Sequence, residues 1–209
     1  MAICWLFFDV GYTLINEDQV WQKRFEEQAL LPETTALGLT PADIRREVER
    51  SSRERKPQYR SFLQRYALTQ AAPYRHELEV PYPEAHTVLT ALSKRYQLGA
   101  IANQADGLAE RLARWNLLSC FSLLISSWDY QVMKPDKRLF EIALEKAKCS
   151  AQEAVMIGDR LDNDIAPAKA LGMRTVWIQQ GFGALQHPLS PADTPDYTIG
   201  SLCDLADLF

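Results

Sequence analysis

Ile3-Cys4-Trp5-Leu6-Phe7-Phe8 is an unbroken apolar run that ends on Asp9. A strand with one wet face alternates apolar and polar residues. This one does not alternate, so it reads as a central parallel strand covered on both sides. It is too short for a membrane span, and no basic leader precedes it, so it is not expected to be a signal peptide. Similar short runs recur at 98–102, 123–125, 154–157 and 175–178, and helical patterns separate them at 84–95, 108–115, 136–148 and 164–171. In the third of these, Leu139, Ile142 and Ala143 share a face that Phe140, Leu144 and Ala147 widen, while Glu141, Glu145 and Lys146 point outward. Gly172 stands where the last helix should end. Strand alternating with helix predicts an α/β fold, a parallel sheet with helices on both faces.

The interval 16–80 breaks this rhythm. It has no strand-like apolar run and reads as three helices, at 19–30, 41–55 and 58–68, punctuated by Pro32, Pro41, Pro57 and Pro73. A helical insertion therefore interrupts the α/β unit just after its first strand. The Gly- and Pro-rich stretch 179–196 reads as a long loop before a last strand at 197–199 and a terminal helix.

The 209 residues hold 27 Asp and Glu against 23 Lys and Arg, a formal charge of −4, and 47% are hydrophobic. That composition supports a sizeable core and excludes general disorder. Mild acidity argues against nucleic acid or an anionic membrane as the main partner, since both select a basic face. Cys4, Cys120, Cys149 and Cys203 lie far apart without a CxxC pair, which points to reduced thiols and a cytoplasmic protein.

In open α/β sheets, ligands bind outside the carboxyl ends of the strands, where the strand order reverses. The residue after the first strand is Asp9, and after the second it is Asn103. Lys134-Pro135-Asp136 follows the third after a short loop, and Gly158-Asp159-Arg160-Leu161-Asp162-Asn163-Asp164 follows the fourth. Any one of these alone is an ordinary turn former, helix cap or surface lysine. Together they place carboxylates, an amide and an ammonium at one sheet edge. Crowded carboxylates call for a hard cation such as Mg²⁺, the lysine suits an anionic group, and a carboxylate can serve as a nucleophile towards phosphorus.

These motifs resemble those of the haloacid dehalogenase (HAD) superfamily, in particular members with a helical cap inserted after the first strand. The resemblance runs through 9–14, 101–103, 134–136, 158–164 and the tail 195–199. It implies a Rossmann-like three-layer parallel-sheet core at 1–15 and 81–209, with an all-helical cap at 16–80. It further implies Asp9 as nucleophile and Mg²⁺ ligand, the Gly11 carbonyl and Asp159 as further ligands, and Asp164 supporting the metal site. Lys134 would stabilise the nucleophile and the transferring phosphoryl group, and Asn103 would contact substrate. The implied function is a Mg²⁺-dependent phosphatase acting on a small phosphorylated or otherwise anionic metabolite, through an aspartyl-phosphate.

Two positions depart from the pattern. Family phosphatases carry a general acid/base aspartate two residues after the nucleophile, where this chain has Gly11. The second motif normally has Ser or Thr where Ala102 stands. Three outcomes remain open: Tyr12, Glu17, Asp18 or His76 supplies the proton; the leaving group is an acyl or aryl oxygen needing little help; or the chain hydrolyses poorly and binds a ligand instead. Gly11→Asp is expected to raise turnover of alkyl phosphates provided the new side chain fits beside Asp9. Family dehalogenases have a tyrosine two residues after the nucleophile and Tyr12 is three after it, which argues against dehalogenation. Lys23 and Lys56 are the only cap lysines that phosphonate cleavage could use.

The arginine-rich stretch 45–65 reads as a solvated helix face, with Glu47, Glu49 and Glu54 interleaved. His76, His86 and His187 lack metal-ligand spacing. Packing is expected to account for Trp5, Trp115, Trp128 and Trp177, whereas Trp21, near the active edge, is placed to touch substrate.

Overall fold

The computed structural model describes residues 2–209. In chain order, β1 (Trp5–Phe8) is followed by β2 (Ile15–Asn16) and then by four helices: α1 (Asp18–Ala29), α2 (Pro32–Ala36), α3 (Pro41–Arg53) and α4 (Gln58–Arg65). β3 (Val80–Pro81) and α5 (Ala85–Leu92) return the chain to the sheet. There β4 (Gln97–Ala102), α6 (Leu108–Arg114), β5 (Leu123–Ser126), α7 (Ser127–Tyr130), α8 (Lys137–Ala147), β6 (Ala154–Gly158), α9 (Ala166–Ala170), β7 (Arg174–Ile178) and β8 (Tyr197–Ile199) follow.

The six long-range strands form one parallel sheet in the order β5-β4-β1-β6-β7-β8. β1 is central, and its side chains serve two layers. Leu6 and Phe8 pack with Leu89 and Leu92 of α5, Leu112 of α6 and Leu202 and Leu205. Phe7 points the other way, into Leu139, Phe140 and Ala143 of α8 and Ala168 of α9. All three β1 residues are fully buried, and each such side chain stabilises the fold by about 1.5–3 kcal/mol relative to exposure. This is the three-layer Rossmann-like α/β arrangement expected from the unalternating run, with helices on both faces.

β2 and β3 form a separate antiparallel pair, Ile15 opposite Pro81 and Asn16 opposite Val80. The chain thus leaves for the helical segment and returns from it side by side. α3 begins with a capping box between Thr40 and Asp43, with Pro41 in its first turn. Its Ile44 and Val48 face inward with Trp21, Phe25, Tyr59 and Phe62, and this cluster also takes in Tyr12 and Phe182 from outside the segment. The outer face of α3 carries the pairs Arg46–Asp43, Arg50–Glu47 and Arg53–Glu49, the solvated charged surface the sequence predicts.

The end of α3 is also fastened to the loop beyond β7. Ser52 Oγ donates to the Phe182 carbonyl at 2.6 Å, Gln186 Nε2 donates to the Ser52 carbonyl at 3.3 Å, and Arg55 pairs with Asp193 at 2.5 Å. Burial alone would raise the Asp193 carboxyl. Hydrogen bonds from Ser190, the Leu189 N–H and Arg55 outweigh it and hold the group well below the usual carboxylate range. A depressed folded-state value stabilises the protein above the unfolded value near 3.8 and loses that contribution as pH falls through the folded one. Asp193→Asn is therefore expected to lower stability by about 2 kcal/mol at pH 7. In urea titrations the gap to wild type should narrow steadily below about pH 4; a pH-independent gap would show that the charge is not responsible.

Local details differ from the sequence reading where elements are too short to show a period. Pro32 starts the one-turn helix α2 rather than only breaking a pattern. The predicted loop at 179–196 contains a 3₁₀ turn at Gly181–Leu185, and the terminal helix is a 3₁₀ segment at Leu202–Asp207. The helix expected at 164–171 opens with a wide π turn at Leu161–Ile165 before α9. Trp128 is 52% exposed rather than packed, because α7 is a single turn at the sheet edge and buries only Ser127. Among the described residues, no helix is long and apolar enough to cross a membrane.

Candidate active site

The strand order reverses at β1, flanked by β4 and β6, and the Asp9 N–H continues the ladder by donating to the Ile157 carbonyl at 2.9 Å. That hydrogen bond sets Asp9 beside Gly158-Asp159 at the carboxyl end of the sheet. A cleft of about 150 Å³ opens there. Its walls include Asp9, Gly11, Asn103, Lys134, Asp159 and Asp164, so the structure brings together all six residues singled out in the sequence. Lys134 is nearly inaccessible, and its Nζ donates to Asp9 Oδ1 at 2.5 Å and to Asp164 Oδ1 at 2.6 Å.

Gly158 explains how Asp164 reaches this position. A Cβ at residue 158 would lie 2.5 Å from Asp164 Oδ2, so only glycine lets the turn fold back over the strand end. Asp164 Oδ2 then accepts from the Arg160 N–H at 3.0 Å. Asp159 is anchored through its carbonyl, which accepts from Trp177 Nε1 at 2.6 Å.

Carboxylate oxygens of Asp9, Asp159 and Asp164 lie within 4.8 Å of one another. Burial, followed by repulsion from Asp164 and Asp9, pushes the Asp159 carboxyl well above its ordinary range. Burial also raises Asp164, with Lys134 opposing. For the Lys134 ammonium, burial works against the charge, but Asp164 and Asp9 outweigh it and the net shift is upward. A cluster that ionises against its own repulsion, with one ammonium among three carboxylates, can hold a further cation.

Asn103 and Lys134 form a reciprocal clasp. Asn103 Nδ2 donates to the Lys134 carbonyl at 2.9 Å, and the Lys134 N–H donates to Asn103 Oδ1 at 2.7 Å. The amide thus orients the lysine even as it lines the cleft. Asp136 uses its carboxylate to cap α8, accepting from the Arg138 N–H at 3.0 Å.

The four candidate proton donors separate cleanly. The Tyr12 hydroxyl is given to Asp18 at 3.1 Å, and Asp18 lines a different hollow on the outer side of α1. His76 Nδ1 sits 3.1 Å from Glu79 in a neighbouring cavity. Tyr12 lines the cleft with its hydroxyl turned to Asp18, and Glu17 lines it too. Burial pushes the Glu17 carboxyl up to about 7, with hydrogen bonds from Tyr74 and Trp21 opposing and Glu79 and Asp9 adding. A Cβ on Gly11 would come within 2.3 Å of Glu17 Oε1, so an aspartate there does not fit unless Glu17 moves. Gln58, Gln104, Arg160 and Asn163 also line the cleft. Gln104, next to Asn103, and Arg160 and Asn163, inside the motif at 158–164, carry a positional hint in the sequence, whereas Gln58 carries none.

The model of the haloacid dehalogenase-like hydrolase family matches residues 6–178. The chain belongs to this family. Among relatives of the HAD-like chain, the glyceraldehyde 3-phosphate phosphatase of Methanocaldococcus jannaschii is 36% identical over 135 residues, 61% of this chain and 56% of that protein. The phosphoserine phosphatase of Thermus thermophilus is 34% identical over 123 residues, 58% of this chain and 48% of that protein. The chain spans about half the length of the curated relatives it matches. The HAD-hydrolase YfnB from Bacillus subtilis bound to magnesium superposes with a TM-score of 0.70 at 22% identity, covering 100% of this chain and 99% of that one. At that identity the match establishes a shared HAD fold.

Proposed function

We propose that this HAD-like protein is a Mg²⁺-dependent phosphatase that hydrolyses a small phosphomonoester through an aspartyl-phosphate on Asp9. The observation that carries the reading is the Asp9–Asp159–Asp164 cluster with Lys134 inserted between Asp9 and Asp164. Its donors are hard oxygens, too crowded to ionise together unaided, which suits Mg²⁺. Asp9, Asp159 and the Gly11 carbonyl would hold the ion, with Asp164 supporting them. When bound, the ion supplies positive charge against the phosphoryl oxygens.

The protein's own groups do the rest. Asp9 attacks phosphorus, and the bond from phosphorus to the leaving oxygen breaks. Lys134 holds Asp9 in line and offsets charge on the transferring group. Water then releases phosphate and restores Asp9. Residues 16–80 act as the cap over a core of 1–15 and 81–209. Beside the cleft lies a second cavity of about 350 Å³, lined by Trp21, Arg24, Tyr74 and His76 and sharing Glu17, Asn103 and Gln104 with the first. That volume suits a small leaving group. With its net negative charge, the protein is assigned a cytoplasmic metabolite as substrate rather than a nucleic acid or a membrane.

A panel of phosphorylated metabolites tests the reading. Phosphate release is expected with Mg²⁺, and it should vanish with EDTA and in Asp9→Asn. If no compound turns over above that variant, the phosphatase reading fails. The absence of a side chain at Gly11 and of a hydroxyl at Ala102 favours a second reading, a binding protein of weak activity. Metabolite binding by calorimetry without turnover would support it.

A further inference from the structure

We infer that Glu17 is the group that exchanges the proton with the leaving oxygen and with the hydrolytic water, in place of any side chain at position 11. This inference rests on the phosphatase reading above.

An alkoxide is a poor leaving group, so a phosphatase acting on alkyl esters needs a positioned acid beside the nucleophile. The cleft offers few candidates. Asp9, Asp159 and Asp164 belong to the nucleophile and cation cluster, Lys134 is committed to two carboxylates, and Arg160 is paired with Asp162. The Tyr12 hydroxyl donates to Asp18. Glu17 is left.

Its position is built by the turn after β1. The Leu14 and Ile15 N–H groups both donate to the Val10 carbonyl, at 2.9 and 3.0 Å, and the Tyr12 N–H donates to the Ile15 carbonyl at 2.8 Å. This tight loop brings residue 17 back onto residue 11. Trp21 Nε1 then donates to Glu17 Oε2 at 3.0 Å. With Oε2 held by Trp21 and the hydroxyl of Tyr74 also bonded to the carboxyl, Oε1 lies in the space that a side chain on Gly11 would fill. Glu17 also borders both the cleft around Asp9 and the cavity beside it. If phosphorus sits over Asp9 and the leaving group in the adjoining cavity, the breaking bond lies where Glu17 stands.

The steps balance. In the first, an Asp9 oxygen bonds to phosphorus, the ester P–O bond breaks, and the Glu17 proton passes to the departing oxygen, giving an alcohol and a Glu17 carboxylate. In the second, water bonds to phosphorus, the P–O bond to Asp9 breaks, and the proton released by water returns to Glu17.

The test uses two substrates of opposite demand, the best alkyl phosphate from the panel and p-nitrophenyl phosphate, whose phenolate leaves unaided. Glu17→Gln is expected to lower kcat/KM for the alkyl ester by about 10²-fold or more. For p-nitrophenyl phosphate it should leave kcat/KM near wild type while lowering kcat, with a stoichiometric burst of p-nitrophenol, because only the second step then lacks its base. In a Glu17→Ala background, Gly11→Asp is expected to recover part of the lost alkyl kcat/KM, since the space is then free. Thermal melting of each variant confirms folding. Equal losses of kcat/KM on both substrates, or no loss on the alkyl ester, would overturn the assignment of Glu17 and leave the phosphatase reading standing. A wild type no faster than Asp9→Asn would overturn both.

Discussion

Asp9→Asn is expected to lower phosphatase turnover by on the order of 10⁴–10⁶-fold, the range seen when a covalent nucleophile is removed. An amide oxygen is a poor nucleophile, and the phosphorylated intermediate cannot form on it. The fold should survive. The change relieves one of three crowded carboxylates, and Lys134 keeps its partner in Asp164, so the melting temperature of the metal-free protein should not fall. Rapid-quench labelling gives the direct readout: a phosphorylated peptide containing residue 9 should appear in wild type and be absent in the variant. A labelled variant, or a wild type that turns over with no label on that peptide, would show that the nucleophile lies elsewhere.

Lys134→Met acts on stability and chemistry together. The ammonium is the one charge among the described residues that bonds two members of the acidic cluster. Without it, Asp9, Asp159 and Asp164 face one another in a buried site with only the Arg160 guanidinium nearby, itself paired with Asp162. Removing one partner of a buried ion pair typically destabilises by about 3–5 kcal/mol. For a chain of this size that corresponds to a fall in Tm of roughly 6–20 °C in metal-free buffer. Mg²⁺ should restore much of the loss, because it neutralises the same carboxylates. Activity should remain low with the metal present, by about 10²–10³-fold, since the positive charge on the transferring group is gone. Differential scanning with and without Mg²⁺ reads the first effect, and steady-state assay reads the second. If Mg²⁺ failed to rescue the Tm of a folded variant, the cluster would not be a cation site.

Much of this architecture could be read before the structure. The unalternating run at β1 can only be a strand covered on both faces, and the residue after it falls on the ligand-binding edge. The same logic put Asn103, Lys134, Asp159 and Asp164 at that edge, because each follows a strand that pairs in parallel with its neighbour. Glu17 was one name among four, because its place depends on the turn at 10–15, a set of backbone hydrogen bonds that leaves no periodic trace in the sequence. For the same reason Gly11 reads as a missing acid, until the structure shows a carboxylate from six residues downstream in that space. α2 and the π turn before α9 are too short to show a face in the sequence. Trp128 was misplaced because a tryptophan suggests packing unless the sheet edge beside it is known.

The paired strands β2 and β3 bear on which parts of this protein can vary independently. They bring the two chain crossings of the helical segment side by side, and Glu17 follows β2 directly, next to those crossings. α3 is fastened to the loop beyond β7 through Ser52, Gln186 and Arg55, whereas the place of Glu17 is set by the turn at 10–15. On the proposed reading, substitutions on α3 and α4 can alter the ester that is accepted and leave the turn that sets Glu17 intact. Such a layout lets one catalytic edge be inherited unchanged while its specificity diverges.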